Sequence, residues 1–182
     1  MNKTLWVTLA ITLAAATVGL LYHLHHRGGS SGTLYHVRTE FAFNIRAPYS
    51  IAAPLFGPEG ERAWADGWDP HFLYPQPAQD IQGAIFQVSQ GHRTSTWVNT
   101  VFNLEQGHIQ YIYVIPEIMV TSIDIHFSKP SAETTGVRVA YERTALSSEA
   151  NEHVRQFGED DQNSGKVWGD DIERYLAART LR

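Results

Sequence analysis

The stretch VRQFGEDDQNSGKVWGDDIERY, residues 154–175, decides how this chain folds. Val154, Phe157, Asp161, Gly165, Trp168, Ile172 and Tyr175 recur at steps of three and four, which places them on one face of an α-helix. Ser147, in Ser147-Ser148-Glu149-Ala150, is the candidate cap, although Ala150 leaves the capping box incomplete. The pattern predicts one long C-terminal helix. Its face is unusual in carrying an acid, Asp161, together with Gly165, and Gly158 and Gly169 lie in the same segment. An interior glycine costs roughly 0.5–1 kcal/mol against alanine. Two readings follow: the glycines kink the helix over a filled core, or they leave room beside Trp168.

Everything immediately upstream alternates with a period of two. Ala84 to Ser89, Ser95 to Leu104, His108 to Ile115, Met119 to Ser128 and Thr135 to Thr144 read as strands, separated by turns that hold Gly91 and Gln106-Gly107, and by Pro116. Connections this short imply antiparallel pairing rather than parallel crossovers. Further upstream, Tyr35, Val37, Thr39, Phe41 and Phe43 share one strand face, with Arg38 and Glu40 on the other. Between that first strand and the meander, Ser50 to Phe56 and Pro58 to Ala65 read as two short helices, and Glu59 and Glu61 suit the positive end of the second. Phe72 to Tyr74 reads as a short extended piece. The expectation is an α+β fold.

Residues 57–75, from Gly57-Pro58-Glu59-Gly60-Glu61 through Trp64-Ala65-Asp66-Gly67-Trp68-Asp69-Pro70 to Tyr74-Pro75, resemble a stretch of bacterial SRPBCC (START-like) proteins. Gly83-Ala84-Ile85-Phe86, Thr96-Trp97-Val98, and Tyr141 with Thr144-Ala145-Leu146-Ser147 extend the resemblance across residues 38–176. The family implies a helix-grip fold, an antiparallel sheet wrapped around the long C-terminal helix, with an apolar cavity between them. Polyketide cyclases and lipid transporters carry the fold, so it implies no single reaction.

Strand parity aims Phe86, Val88, Trp97, Asn99, Val101, Tyr111, Tyr113, Ile123, Ile125, Val139 and Tyr141 at that interior. The expected ligand-binding set is Trp97, Asn99, Tyr111, Tyr113, Tyr141, Gly165 and Trp168. A buried amide or phenol needs a partner, and these polar groups either satisfy one another or hold a ligand's polar end. Trp64 and Trp68 serve as a lid or as a plug between the short helices and the sheet. No catalytic residue is assigned; Asp66, Asp69, His71 and Asp161 are the candidates for acid–base work, with Asp161 and His71 kept foremost and Asp69 read as a turn former before Pro70 that His71 can reach. Asp124 and His126 alternate with Ile123 and Ile125 and are expected in solvent. Nucleophile-elbow, phosphate-loop, HExxH and calcium-loop motifs are absent, and neither a metal nor a cofactor is expected. The expected partner is a small apolar ligand, in a binding or carrier module; a cyclase- or dehydratase-type enzyme and a tethered interaction domain with a filled core are the alternatives.

The N-terminus adds a membrane. Leu5 to Leu24 contains no Asp, Glu, Lys or Arg, and a helix rising about 1.5 Å per residue crosses a roughly 30 Å hydrocarbon layer in that length. Trp6 and Tyr22 suit its two interfaces. Residues 1–27 are read as a transmembrane helix with its flank, 28–33 as a glycine–serine tether, and 34–182 as one domain. Ala14-Ala15-Ala16 keeps a cleaved signal peptide open as the competing reading. The single-pass anchor leaves the side of the soluble domain undetermined, with a lean toward export (periplasmic in a bacterium). His23, His25 and His26 are read as an interfacial flank. A net charge of −5 argues against a nucleic-acid partner, and the lack of cysteine excludes disulfides, thiolate metal sites and a cysteine nucleophile.

Overall fold

The computed structural model describes residues 32–180. The chain runs through β1 (His36–Ile45), α1 (Tyr49–Ala52) with a 3-10 turn (Ala53–Phe56), α2 (Pro58–Glu61), β2 (His71–Tyr74), β3 (Ile85–Gln90), β4 (Arg93–Asn103), β5 (His108–Ile115), β6 (Met119–Ser131), β7 (Thr134–Ala145) and α3 (Asn151–Thr180). Its strands form one seven-stranded antiparallel sheet in the order β1-β7-β6-β5-β4-β3-β2. Consecutive strands are neighbours from β2 to β7, and only β1 is out of sequence, paired with β7 from His36↔Thr144 to Ile45↔Thr135. With α3 set against the sheet, this is the helix-grip architecture. Gly91 and Gly107 turn the β3–β4 and β4–β5 hairpins at φ values of 60° and 68°, which L side chains rarely adopt.

One face of the sheet is apolar. Phe86, Ile109, Ile125 and Val139 are fully buried there, joined by Phe56 from the 3-10 turn and by Val154 and Ile172 from α3. Each large side chain so buried contributes roughly 1.5–3 kcal/mol. The opposite face carries the alternate residues, among them Arg38, Gln110, Asp124 and Glu142.

The long helix is continuous from Asn151 to Thr180 and runs in the same direction as β1. The contacts along it set the register. Asn151 Oδ1 accepts from Tyr35 N at 2.7 Å, Asp161 accepts from the Thr39 hydroxyl, and Glu173 Oε1 accepts from Arg46 N at 2.7 Å. Between these points the glycines face strand side chains. A methyl group at Gly158 would lie 3.2 Å from Val37 Cγ2, at Gly165 3.0 Å from Phe41 Cδ2, and at Gly169 3.4 Å from Phe43 Cδ2. The glycines therefore let the helix ride close on the edge strand. The space beside Gly165 belongs to the Phe41 ring, and the helix runs uninterrupted through all three glycines.

Several boundaries differ from the sequence reading, β6 for one running to Ser131 rather than Ser128. The second short helix stops at Glu61 rather than Ala65, giving way to turns, and α3 starts at Asn151, after a turn that Ser147 and Ser148 close by accepting from Ala150 N and Asn151 N. Among the described residues no helix is long and apolar enough to cross a membrane; the span Leu5 to Leu24 lies outside them.

If α3 rests on β1 through its glycines, Gly165→Leu forces the helix off Phe41 and lowers the unfolding free energy by about 1–3 kcal/mol, whereas Gly169→Ala, in ordinary contact with Phe43, raises it by up to ~1 kcal/mol. Urea titration followed by far-UV circular dichroism measures both.

Candidate functional site

Between sheet, short helices and α3 lies a cavity of about 300 Å³. Its walls are aromatic. Trp97 on β4 stacks on Tyr113 of β5, with ring centroids 4.1 Å apart, and receives the edge of Trp68 at 5.2 Å. Trp168 of α3 meets Trp64 at 5.7 Å and Phe41 at 5.5 Å. Ile123, Ile125 and Val88 supply aliphatic wall, and Phe157 closes the side toward the start of α3.

Of the expected ligand-binding set, Trp97, Tyr111, Tyr113, Tyr141 and Trp168 line this cavity. Asn99 and Gly165 do not. Asn99 sits beside the irregularity in the β4–β5 pairing, where Nδ2 donates to Ile81 O at 3.0 Å and its backbone exchanges bonds with Gly83 and Ala84; it fastens the loop before β3. Trp64 is buried with its indole N–H on Leu55 O at 2.7 Å, a plug between the short helices and the sheet. Trp68, half-buried and bonded to Pro58 O at 2.9 Å, forms part of the cavity wall.

Of the acid–base candidates, Asp66 lines the cavity, while Asp161, His71 and Asp69 have other surroundings. Asp161 is 6% exposed and pairs with Arg143, which is 3% exposed; Arg143 Nη2 donates to Asp161 Oδ1 at 3.0 Å, and a second bond joins Nη1 to Oδ2. Arg143 follows Tyr141 by two residues on β7, lines the cavity, and stacks over the Tyr141 ring at 4.1 Å. The pair neutralises itself, leaving Arg143 Nε, like Asn99 Oδ1 and Thr121 Oγ1, buried without a hydrogen-bond partner among the described residues. His71 is exposed on edge strand β2 and lies outside the cavity wall, while Asp69 bonds to Arg62 instead.

Two acids line the cavity, the exposed Asp66 and, from α2, Glu61. Desolvation pushes the Glu61 carboxyl well above the ordinary value of 4.5, and the nearby Asp80 carboxylate adds to the rise. No hydrogen-bond donor reaches the Glu61 carboxyl among the described residues. Its position follows from a tight local design. Asp80 Oδ1 and Oδ2 accept from Glu59 N and Gly60 N at 2.8 and 3.2 Å, capping α2 from a distant loop. Gly57 leaves the space for that carboxylate: a methyl there would fall 2.1 Å from Asp80 Oδ2, and one on Gly60 would fall 2.1 Å from Pro54 O. These close approaches explain the glycines of Gly57-Pro58-Glu59-Gly60-Glu61. In the sequence Glu61 reads as a helix-dipole acid; the available signal is its spacing of three from Trp64, which shares its helical face.

The phenols differ from one another. Tyr111 Oη donates to Phe56 O at 2.5 Å and is structurally committed. The hydroxyls of Tyr113 and Tyr141 meet no hydrogen-bond partner among the described residues, and burial raises the Tyr141 phenol well above its usual 10.0. The cavity thus presents two carboxyls, of Glu61 and Asp66, and the phenols of Tyr113 and Tyr141 to whatever enters.

No family model matches the sequence, and no curated protein matches it. Solved structures do match. A truncated norcoclaurine synthase from Thalictrum flavum aligns with a TM-score of 0.61 over 81% of this chain and 97% of its own, at 8% identity. An uncharacterised protein from Rhizobium leguminosarum gives 0.57 over 80% and 97%, at 14% identity, and Ara h 8.0201 gives 0.57 over 79% and 99%, at 11%. The chain has the Bet v1/SRPBCC-type helix-grip fold.

A carboxyl whose folded-state value lies above its unfolded one holds its proton in the folded protein while the unfolded chain ionises. Stability therefore falls as pH rises from 4.5 through the raised folded value. Glu61→Gln is expected to raise the unfolding free energy at neutral pH, with the gain vanishing below pH 4.5; urea titrations across that range measure it.

Proposed function

We propose that this protein binds a small, largely apolar ligand in the cavity between sheet and α3. The observation that carries the reading is the cavity of about 300 Å³ with aromatic walls and the unpartnered polar groups of Glu61, Tyr113 and Tyr141. Each 100 Å² of apolar ligand surface taken from water contributes about 2.5 kcal/mol before the costs of ordering are subtracted. The polar groups then fix one end: the Glu61 carboxyl donates when protonated and accepts when ionised, and the phenols donate or accept. A related fold supports a ligand of this size, since a norcoclaurine synthase structure holds dopamine and hydroxybenzaldehyde, again at low identity (9%). A filled interior, which a pure interaction domain needs, is at odds with the cavity.

Glu61 also supports the second reading, an enzyme of the cyclase or dehydratase type. A carboxyl held protonated in an apolar site is suited to giving a proton to a carbonyl or hydroxyl oxygen. Neither Asp161, neutralised by Arg143, nor His71, outside the cavity, is placed for that step.

Four of the five tryptophans line the cavity, so occupancy reads directly in intrinsic fluorescence. Titration with N-phenyl-1-naphthylamine, a neutral apolar fluorophore, is expected to show saturable 1:1 binding with energy transfer from tryptophan. Ile123→Trp fills the cavity and is expected to weaken binding at least about 10-fold, corresponding to ~1.4 kcal/mol. Unsaturable uptake, or binding indifferent to Ile123→Trp in a folded variant, refutes the carrier reading.

The proposal extends to location. Leu5 to Leu24 holds the domain at a membrane through the tether of residues 28–33, where apolar molecules concentrate, with the domain on the exported side. The full chain is expected to stay in the membrane pellet after alkaline carbonate extraction, with residues 1–27 intact by mass spectrometry. Release into the supernatant, or a mature chain beginning after Ala16, identifies a cleaved signal instead.

A further inference from the structure

The sheet face turned away from the cavity carries a second cluster. His108 on β5 and His126 on β6 are direct cross-strand partners, and Asp124 precedes His126 by two residues on the same face. The two imidazoles lie parallel, 8° apart, with centroids separated by 4.4 Å. Both turn the same nitrogen to one carboxylate: His108 Nε2 is 2.6 Å from Asp124 Oδ1, and His126 Nε2 is 3.2 Å from Oδ2. One donor atom from each residue falls within 4.8 Å of the other two. The side chains of His108, Asp124 and His126 are 28%, 36% and 42% exposed, packed yet reachable from solvent.

We propose that His108, Asp124 and His126 bind a divalent transition-metal ion of the zinc class. Without an ion, each Nε2 must carry a proton to bond the carboxylate. An ion replaces both protons, at about 2.0–2.1 Å from imidazole nitrogen and 2.0–2.2 Å from carboxylate oxygen, which sets donors about 3.3 Å apart in a tetrahedron. The stacked rings have to tilt toward a common point to reach that geometry, on a hydrogen-bonded ladder that already fixes the backbone. Two imidazoles and one carboxylate favour zinc, copper or nickel over magnesium and calcium, which prefer oxygen donors. Three protein ligands leave at least one position for water or an anion. His126 and Arg138, its neighbour across β6–β7, line a shallow groove of about 370 Å³ that gives such an anion access. Arg138 is held toward Glu40 at 3.5 Å, which tempers its repulsion of a cation.

The test uses the full chain in detergent, with His23→Gln, His25→Gln and His26→Gln removing the histidine cluster of the N-terminal segment as a competing chelator. After dialysis against a chelator, calorimetric titration with zinc chloride is expected to show one ion per chain. Asp124→Asn and His126→Gln are each expected to weaken binding roughly 10-fold or more with circular dichroism unchanged. Electron paramagnetic resonance of the copper(II)-loaded chain is expected to show coupling to two nitrogens, and to one in His108→Gln. Absence of saturable zinc uptake, affinity unchanged by both variants, or a copper spectrum lacking the two-nitrogen pattern overturns the site. None of these outcomes touches the cavity, whose occupancy is read separately by tryptophan fluorescence.

Discussion

The close contact between α3 and β1, pinned by the buried Arg143–Asp161 pair, is the constraint on which the interior depends. Taking both charges out of water is costly, and the cost is offset only because two hydrogen bonds join them, Thr39 adds a third to Asp161, and the Tyr141 ring stacks on the guanidinium. The pair ties the last helix to both the first and the last strand. Glycines on either side bring the helix axis near enough for the pair to close. A bulky residue at Gly165 and the loss of Asp161 would act on the same contact, one by steric separation and one by leaving a buried charge alone.

From that contact the cavity acquires its shape. Because α3 hugs the β1 edge, it leaves β4 and β5 partly uncovered, and the gap is lined by Trp97, Tyr113 and Ile123 rather than filled by the helix. The far end is closed by the short helices, whose placement rests on Asp80 capping α2 and on Gly57 and Gly60 permitting close backbone approach. That arrangement drives Glu61 into an apolar space. Its elevated carboxyl value is a cost to the fold at neutral pH, and a cost retained at a cavity wall is consistent with use by a ligand.

The period of two in β5 and β6 separates two chemistries within a few residues. Ile123 and Ile125 face the cavity; Asp124 and His126 face solvent beside His108. Ligand binding and metal binding, if both occur, occupy opposite faces of the same strands and share only backbone.

The sequence by itself determined the elements. Apolar alternation fixed the strands and their inward faces, and three- and four-residue spacing fixed the long helix, because both patterns are local consequences of backbone geometry. It also placed Trp97, Tyr111, Tyr113, Tyr141 and Trp168 at the interior. Tertiary structure alone decided which inward positions border empty space. Gly165 looked like room but is filled by Phe41, and Asn99 fastens a loop. Arg143, at the same parity as Tyr141, meets Asp161 only once β7 and α3 are brought together. Glu61 enters the cavity only because Asp80, nineteen residues later, orients its helix. Spacing along a chain specifies a face; what that face meets depends on contacts between residues far apart in sequence.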